Sequence, residues 1–256
     1  MKKKLLLYLL SCLILLVCVA PFVYILLRAC FTEEGQATAL NYYQVFLASP
    51  AYLLRFFKSL ALALGIALAQ TAVSTLAGFG FAKYRFPGKN VMFFLLMALM
   101  IMPLQVTLVP NYLVLGSMGL LNTYRALALP GIFVPLGTFL MTQTFRAMPK
   151  EVLDAGKLDG CNDFGALLRI AAPMGKGGMA CTMLLSFLDG WNMVEQPMVF
   201  LDDFSRYPIA VALASVQPGG LGVQLACCAL VMAPPVMLFA LFHQELVNGI
   251  TLGREK

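Results

Sequence analysis

Glu151, Asp154, Asp159 and Asp163 set four carboxylates within thirteen residues of one stretch, EVLDAGKLDGCNDFGALLRIAAPM over 151–174, in a chain that otherwise avoids charge. A second polar group, Asp189, Asn192, Glu195 and Gln196, interrupts an apolar run further on. The first group has the chemistry to cap helices and to orient on a basic partner groove. The second offers the donors and acceptors that a hydroxyl-rich solute needs. Neither forms a catalytic constellation. The three Gly-Lys pairs, at 88, 156 and 175, lack both the preceding glycine and the following Ser or Thr of a phosphate-binding loop, so no ATPase is expected in this chain. The only histidine, His243, has no nucleophile or metal-ligand set around it and reads as an interfacial residue, with a proton-carrying role left open by Glu245 nearby. The seven cysteines lack C-x-x-C spacing and partnering histidines, which leaves them as small packing residues and predicts no metal.

The elements that must carry these groups are membrane helices. Of 256 residues, 61% are hydrophobic and 12% charged, and the mean hydropathy is +0.84, far from a soluble globular domain. The net charge of +6 is not arranged as a basic stripe with interleaved aromatics, so nucleic acid is not an expected partner. The run from Leu5 to Leu27 is uncharged, too long for a signal peptide core and without a small-residue cleavage pattern, which predicts a retained first span.

A crossing helix needs about 20 apolar residues, and windows of that length predict an all-α polytopic fold, a single transmembrane domain with six spans. They fall at about 5–27, 59–82, 91–109, 126–145, 177–200 and 220–242, with a loop over 147–174. Pro103, Pro110, Asn111 and Asn122 place the end of the third span and an external loop after it. With the N-terminus inside, thirteen of the eighteen Lys and Arg residues lie on the cytoplasmic side, so both termini and the 151–174 stretch are expected there. Ala61, Gly65 and Ala69 share one face of the second span and suit close packing within the chain, a pathway lining or a subunit seam. Asp189 follows only twelve uncharged residues after Lys176. Either it faces protein, water or solute inside the membrane, or the helix ends at Gly190 and the polar group lies at the outer interface.

Within the charged stretch, Pro149 suits a helix start, Glu151 and Asp154 sit near the positive end of the helix dipole, and Gly160 interrupts. Asn162 is an expected N-cap for a second helix with Phe164, Leu167 and Leu168 on one apolar face and Pro173 as its limit. Two short helices joined by a glycine elbow are predicted.

P-K-E-V-L-D-A-G-K-L-D-G-C followed by F-x-x-x-x-R-I-x-x-P resembles the "EAA" loop of ABC importer permeases. Asp154-Ala155-Gly156 stands where E-A-A is usual, Leu158-Asp159-Gly160-Cys161 where I-D-G-A is usual, and Ala172-Pro173 where a Leu-Pro pair is usual. Ile101-Met102-Pro103, Gln105-Val106-Thr107, Gly119 to Tyr124, Trp191-Asn192 and Asn248-Gly249-Ile250 are similar to patterns of the carbohydrate-uptake subgroup, related to the maltose and glycerol-3-phosphate systems. The resemblance implies one of two permease subunits in a bacterial cytoplasmic (inner) membrane, working with a dimer of cytoplasmic ATPases that bind ATP and Mg and with an extracytoplasmic solute-binding protein. It implies no cofactor in this chain. Residue by residue it assigns ATPase coupling to Glu151, Asp154, Ala155, Gly156, Asp159 and Gly160. Asp154 is one methylene shorter than the usual Glu, and Gly156 weakens the helix by about 1 kcal/mol relative to Ala. Asp189, Asn192, Glu195 and Gln196 are expected along the solute path. The alternatives are an ion-coupled secondary transporter using Asp189, Glu195 and His243, and a membrane scaffold without solute flux.

Overall fold

A computed structural model describes residues 2–32, 35–46, 50–213 and 220–251. The Asn248-Gly249-Ile250 pattern, Glu245 and the basic tail lie outside the residues whose side chains are described. The described chain is helical: α1 (Lys2–Ala29), α2 (Leu40–Phe46), α3 (Pro50–Lys83), α4 (Lys89–Ile101), α5 (Leu104–Ser117), α6 (Tyr124–Ile132), α7 (Pro135–Arg146), α8 (Lys150–Leu158), α9 (Asp163–Ala166), α10 (Ala172–Met174), α11 (Lys176–Trp191), α12 (Glu195–Phe200), α13 (Ile209–Leu213) and α14 (Leu221–Thr251). Among the described residues, four segments are long and apolar enough to cross a membrane: Leu6–Ala29, Tyr52–Lys83, Tyr124–Arg146 and Leu221–Gln244.

Two expected spans are broken. Over 91–109 the chain bends by 107° between α4 and α5, and counting this pair as one span gives five. The cause is local: Met102 precedes Pro103, whose ring disfavours α-helical backbone in the residue before it, and Met102 is extended at φ −68°, ψ 129°. Val134 before Pro135 is extended for the same reason, at φ −65°, ψ 127°, and separates α6 from α7. Over 177–200, α11 ends at Trp191 after 16 residues and α12 begins at Glu195. At ~1.5 Å per residue α11 reaches only about 24 Å, short of a hydrocarbon core of about 30 Å.

α3 is the central helix, packed on α7, α11 and α6, while α14 lies against α11 and α1. The small residues at these crossings differ from the expected set. Ala61 and Gly65 are exposed, whereas Ala63 and Ala67 are fully buried and Gly190 of α11 approaches Ala63. Of the seam predicted from Ala61, Gly65 and Ala69, the first two therefore do not serve packing within the chain, and Ala69 is half-buried. A four-residue repeat fixes which residues share a face, but the neighbouring helices decide which face turns inward. Three buried hydroxyls are satisfied along their own helices: Thr71 donates to Ala67 O at 2.7 Å, Thr75 to Thr71 O at 2.6 Å and Thr142 to Thr138 O at 2.7 Å.

Trp191, 1% exposed, anchors the junction of α3, α11 and α14. It stacks on Phe187 with centroids 5.7 Å apart and meets Phe56 edge-on at 5.5 Å. Its indole Nε1 donates to Val231 O at 3.1 Å. That carbonyl would ordinarily accept from the amide four residues on, which is Pro235 and has no N–H. The tryptophan thus satisfies an acceptor that the Pro234-Pro235 pair strands inside a membrane helix, where nothing else can. Trp191→Phe is expected to cost about 1 kcal/mol through the lost hydrogen bond, and Trp191→Ala about 3–5 kcal/mol through the added cavity. Unfolding of the detergent-purified protein checks this; a Phe variant as stable as the parent would contradict the role given to the indole N–H.

Candidate functional site

The breaks at Val134 and at Asn192–Val194 open a cavity of about 530 Å³ between α3, α6, α11 and α12. Asp189, Asn192, Glu195 and Gln196 all line it, together with Gln70 of α3 and Ser186 of α11. Asp189 lies within α11, and the helix ends two residues later, so the break puts the group at the cavity wall. Gln70 Nε2 reaches Val134 O at 3.4 Å, tying α3 to the α6–α7 break. Ser186 Oγ, along with Ser74 Oγ and Thr182 Oγ1, is buried without a hydrogen-bond partner among the described residues. The volume suits a small polar solute, and a wall with carboxylate, amide and hydroxyl groups on apolar surroundings is the usual composition of such a site. Among the described residues no group of carboxylates, histidines and cysteines is arranged to hold a metal.

One side of the cavity is latched. Glu195 accepts from Gln105 Nε2 at 2.9 and 3.1 Å, joining α12 to α5 across the bent pair. Asn122, in the left-handed region at φ 63°, joins the loop before α6 to the segment after α12. Its amide group donates to Asp202 Oδ2 and accepts from Asp202 N, both at 3.1 Å, and Arg206 Nη1 donates to its carbonyl. Gln70, Ser186 and Gln105 were not among the predicted cavity residues. Gln70 and Ser186 carry no charge to mark them within a span, and Gln105 lies ninety residues from its partner. His243 does not line the cavity; its Nδ1 lies 2.8 Å from Ala240 O in its own helix.

The charged stretch folds as two short helices joined by a turn, for reasons visible in the sequence. α8 closes with a paired C-terminal motif: Gly160 N donates to Lys157 O at 3.1 Å and Cys161 N to Gly156 O at 2.9 Å. This arrangement needs a left-handed residue, supplied by Gly160 at φ 83°. Asn162 caps α9, its Oδ1 accepting from Gly165 N at 2.7 Å. Pro149 precedes α8 as its N-cap and does not occupy the first turn.

The faces are less simply read. Glu151, Asp154, Ala155, Asp159 and Gly160 are exposed, but Gly156 is buried. A Cβ at 156 would overlap Ile170 Cδ1, so the glycine permits α8 to lie on the segment after α9 and is not presented outward. Of the predicted apolar face, Leu167 is 3% exposed while Phe164 and Leu168 are 61% and 54% exposed. Phe164 and Leu168, at i and i+4, share a face that points outward, while Ala166 and Leu167 turn inward; beyond them the helix widens to a π turn over Leu167–Ala171, closed by Ala172 N to Leu167 O. Lys157 pairs with Asp163 at 3.2 Å across the elbow, both half exposed. Partial burial, and then a hydrogen bond with Asp163, hold the Tyr84 phenol above its usual range. Lys83 Nζ donates to Met148 O at 2.9 Å, joining the end of α3 to the start of the stretch. Beneath it Phe79, Phe145, Met148, Leu153 and Leu167 form one buried cluster, so the stretch is packed onto the ends of α3 and α7.

The family model described as a binding-protein-dependent transport system inner membrane component matches residues 70–248. The arabinooligosaccharides transport system permease protein AraQ of Bacillus subtilis is 30% identical over 219 residues, 84% of this chain and 78% of the relative. The sn-glycerol-3-phosphate transport system permease protein UgpE of Yersinia enterocolitica is 28% identical over 202 residues, 77% of this chain and 72% of that one. A chain in the crystal structure of a bacterial ABC transporter involved in the import of the acidic polysaccharide alginate shares the fold, with a TM-score of 0.80, 17% identity and 96% coverage of both chains.

An alanine Cβ at 156 would meet only the terminal methyl of Ile170, which can turn aside, so Gly156→Ala is expected to change stability by no more than about 1 kcal/mol, the gain in helix propensity offsetting the shift at Ile170. Unfolding of the detergent-purified protein checks this; a loss of several kcal/mol would show that Ile170 is held rigidly against α8.

Proposed function

This chain belongs to the binding-protein-dependent transport system inner membrane component family, and from that premise we propose how it works within an ABC importer. The 530 Å³ cavity is its share of the solute path, and the stretch 147–174 is the contact through which ATP hydrolysis moves it. The single observation that supports this most is the convergence of Asp189, Asn192, Glu195 and Gln196, with Gln70 and Ser186, on one cavity beside two helix breaks. Donors and acceptors at that spacing suit hydroxyl groups, and both named relatives act on carbohydrate or a polyol phosphate by their names. A sugar or sugar derivative is therefore the proposed solute. The ion-coupled alternative has less support, because His243 stands apart from Asp189 and Glu195.

In mechanism, the exposed carboxylates Glu151, Asp154 and Asp159 orient the stretch on a basic groove of the cytoplasmic ATPase. The ATPase dimer binds ATP and Mg, and this chain's part is to move as one piece when that dimer closes. Rigidity comes from the Gly160 motif, the Asn162 cap, the Gly156–Ile170 contact and the cluster around Phe145. Exposed Phe164 and Leu168 add apolar area to the same docking surface. Displacement then passes along α3, α7 and α11 to the cavity wall. The Gln105–Glu195 and Asn122–Asp202 contacts close the other end until a solute-binding protein docks. A second permease subunit completes the path, and the exposed Ala61 and Gly65 stripe of α3 is a surface suited to it. Both termini lie on the cytoplasmic side of the inner membrane, and the whole chain forms one transmembrane domain.

Asp154→Lys and Gly160→Pro are each expected to reduce uptake at least tenfold, as reversal of a contact charge and loss of a left-handed amide donor should. The protein should remain in the membrane at parental levels, and uptake by the parent should collapse on ATP depletion. Parental uptake by both variants would remove the coupling role of the stretch, and uptake that survives ATP depletion but fails with an uncoupler would favour the ion-coupled reading.

A further inference from the structure

A second cavity, about 410 Å³, lies between the ends of α3, α4 and α7 and the stretch α8–α9, and of its charged lining the transport mechanism uses only Asp154. Six cations line it: Lys83, Arg85, Lys89, Arg146, Lys150 and Lys157. Two carboxylates, Asp154 and Asp163, line it as well, which leaves the cleft at a formal +4. The internal partners do not neutralise it. Lys157 is paired with Asp163, but Lys83 and Lys89 spend a hydrogen bond on the neutral carbonyls of Met148 and Tyr84. Arg146 lies 4.5 Å over the Phe93 ring, and neither Arg85 nor Lys150 makes an ion pair among the described residues. Like charges gathered in a walled cleft repel unless an anion shares them. The floor is the buried cluster around Phe79 and Leu153, so the cations are held on a fixed surface.

Beside the cleft, Arg85 and Lys89 also border a shallow depression with Phe86 and Val91. From there the exposed face of α4 continues as Val91, Phe94 and Leu95. A charged cleft that opens onto an apolar helix face matches one kind of molecule, a phosphate on two acyl chains.

We infer that this cleft binds the headgroup phosphate of an anionic phospholipid, with the acyl chains along α4. Arg85 supplies a planar fork of donors for phosphate oxygens, and Lys89 and Lys150 supply point charges. Because Lys150, Asp154 and Lys157 belong to α8, a bound headgroup would brace the end of α3 against the coupling stretch by relieving the repulsion between them. The inference takes from the proposed function only that the chain sits in a membrane; the site needs no particular solute.

The test uses the assembled importer in nanodiscs that contain phosphatidylglycerol and phosphatidylcholine, with lipids retained by the complex counted by native mass spectrometry. Phosphatidylglycerol should be retained in preference to phosphatidylcholine. Arg85→Gln/Lys89→Gln should lower that preference about thirtyfold, at roughly 1 kcal/mol for each of the two surface cations. Arg169→Gln/Lys176→Gln, which removes two exposed cations outside the cleft, should leave it unchanged. Uptake by the first variant in proteoliposomes of phosphatidylcholine alone should equal the parent's, which separates lipid binding from coupling. Equal retention of the two lipids by the parent, or an equal loss in both variants, would overturn the inference. Displacement of phosphatidylglycerol by millimolar inorganic phosphate would show a site for free anions and not for lipid. Preference present in the permease pair but absent once the ATPases are assembled would show that the ATPase is the occupant.

Discussion

Hydrocarbon offers no hydrogen bonds, so every break in a membrane helix must be repaired from within the protein. This chain interrupts its helices repeatedly, with Pro21, Pro110, Pro130 and Pro234-Pro235 inside helices, Pro103 between two of them and Pro135 opening another. The Trp191 indole repairs the acceptor at Val231 that Pro235 leaves without a donor, and in doing so fixes α11 against α14. Gln70 does the same work more loosely at the Val134 break. Where the repairs are made by side chains, helices are locked together. Where α11 stops at Trp191 and the chain resumes its helix only at Glu195, a polar cavity lies against the break, with the Ser186 hydroxyl on its wall. The rigid core and the open path thus both sit at interruptions of the helices.

The charged stretch obeys a different solvent and so a different logic. In water its helices are too short to be stable alone, and caps, a left-handed glycine and a buried cluster hold them. Gly156 is turned inward, against the Ile170 side chain, whose terminal methyl lies where an alanine Cβ would stand. What faces outward is then a mixed surface of carboxylates with Phe164 and Leu168.

Features with local causes were legible in the sequence. The Asn162 cap and the Gly160 turn depend on neighbours within five residues, and the structure has both. The long apolar helices around α1, α3 and α14 were likewise legible from window length. Rotation of a helix about its axis was not, because the buried face of α3 is chosen by α7 and α11, and Ala63 took the place expected of Gly65. The π turn over Leu167–Ala171 has no local signature beyond Pro173, and the third span, expected to run through Pro103 to 109, instead bends there by 107°. In the cavity, charged and amide residues beside Trp191 could be singled out by type. Gln70, more than a hundred residues away, needed the fold.

The central claim is that the coupling stretch and the cavity move together. Its most direct test is the accessibility of a single cysteine at position 192, in the assembled importer with the native cysteines replaced, to membrane-impermeant thiol reagents applied from either side. The account predicts labelling from one side in the nucleotide-free complex and protection from that side when ATP is bound but not hydrolysed, with the change abolished by Gly160→Pro. Labelling that is identical with and without ATP, or a change that persists in Gly160→Pro, would contradict it.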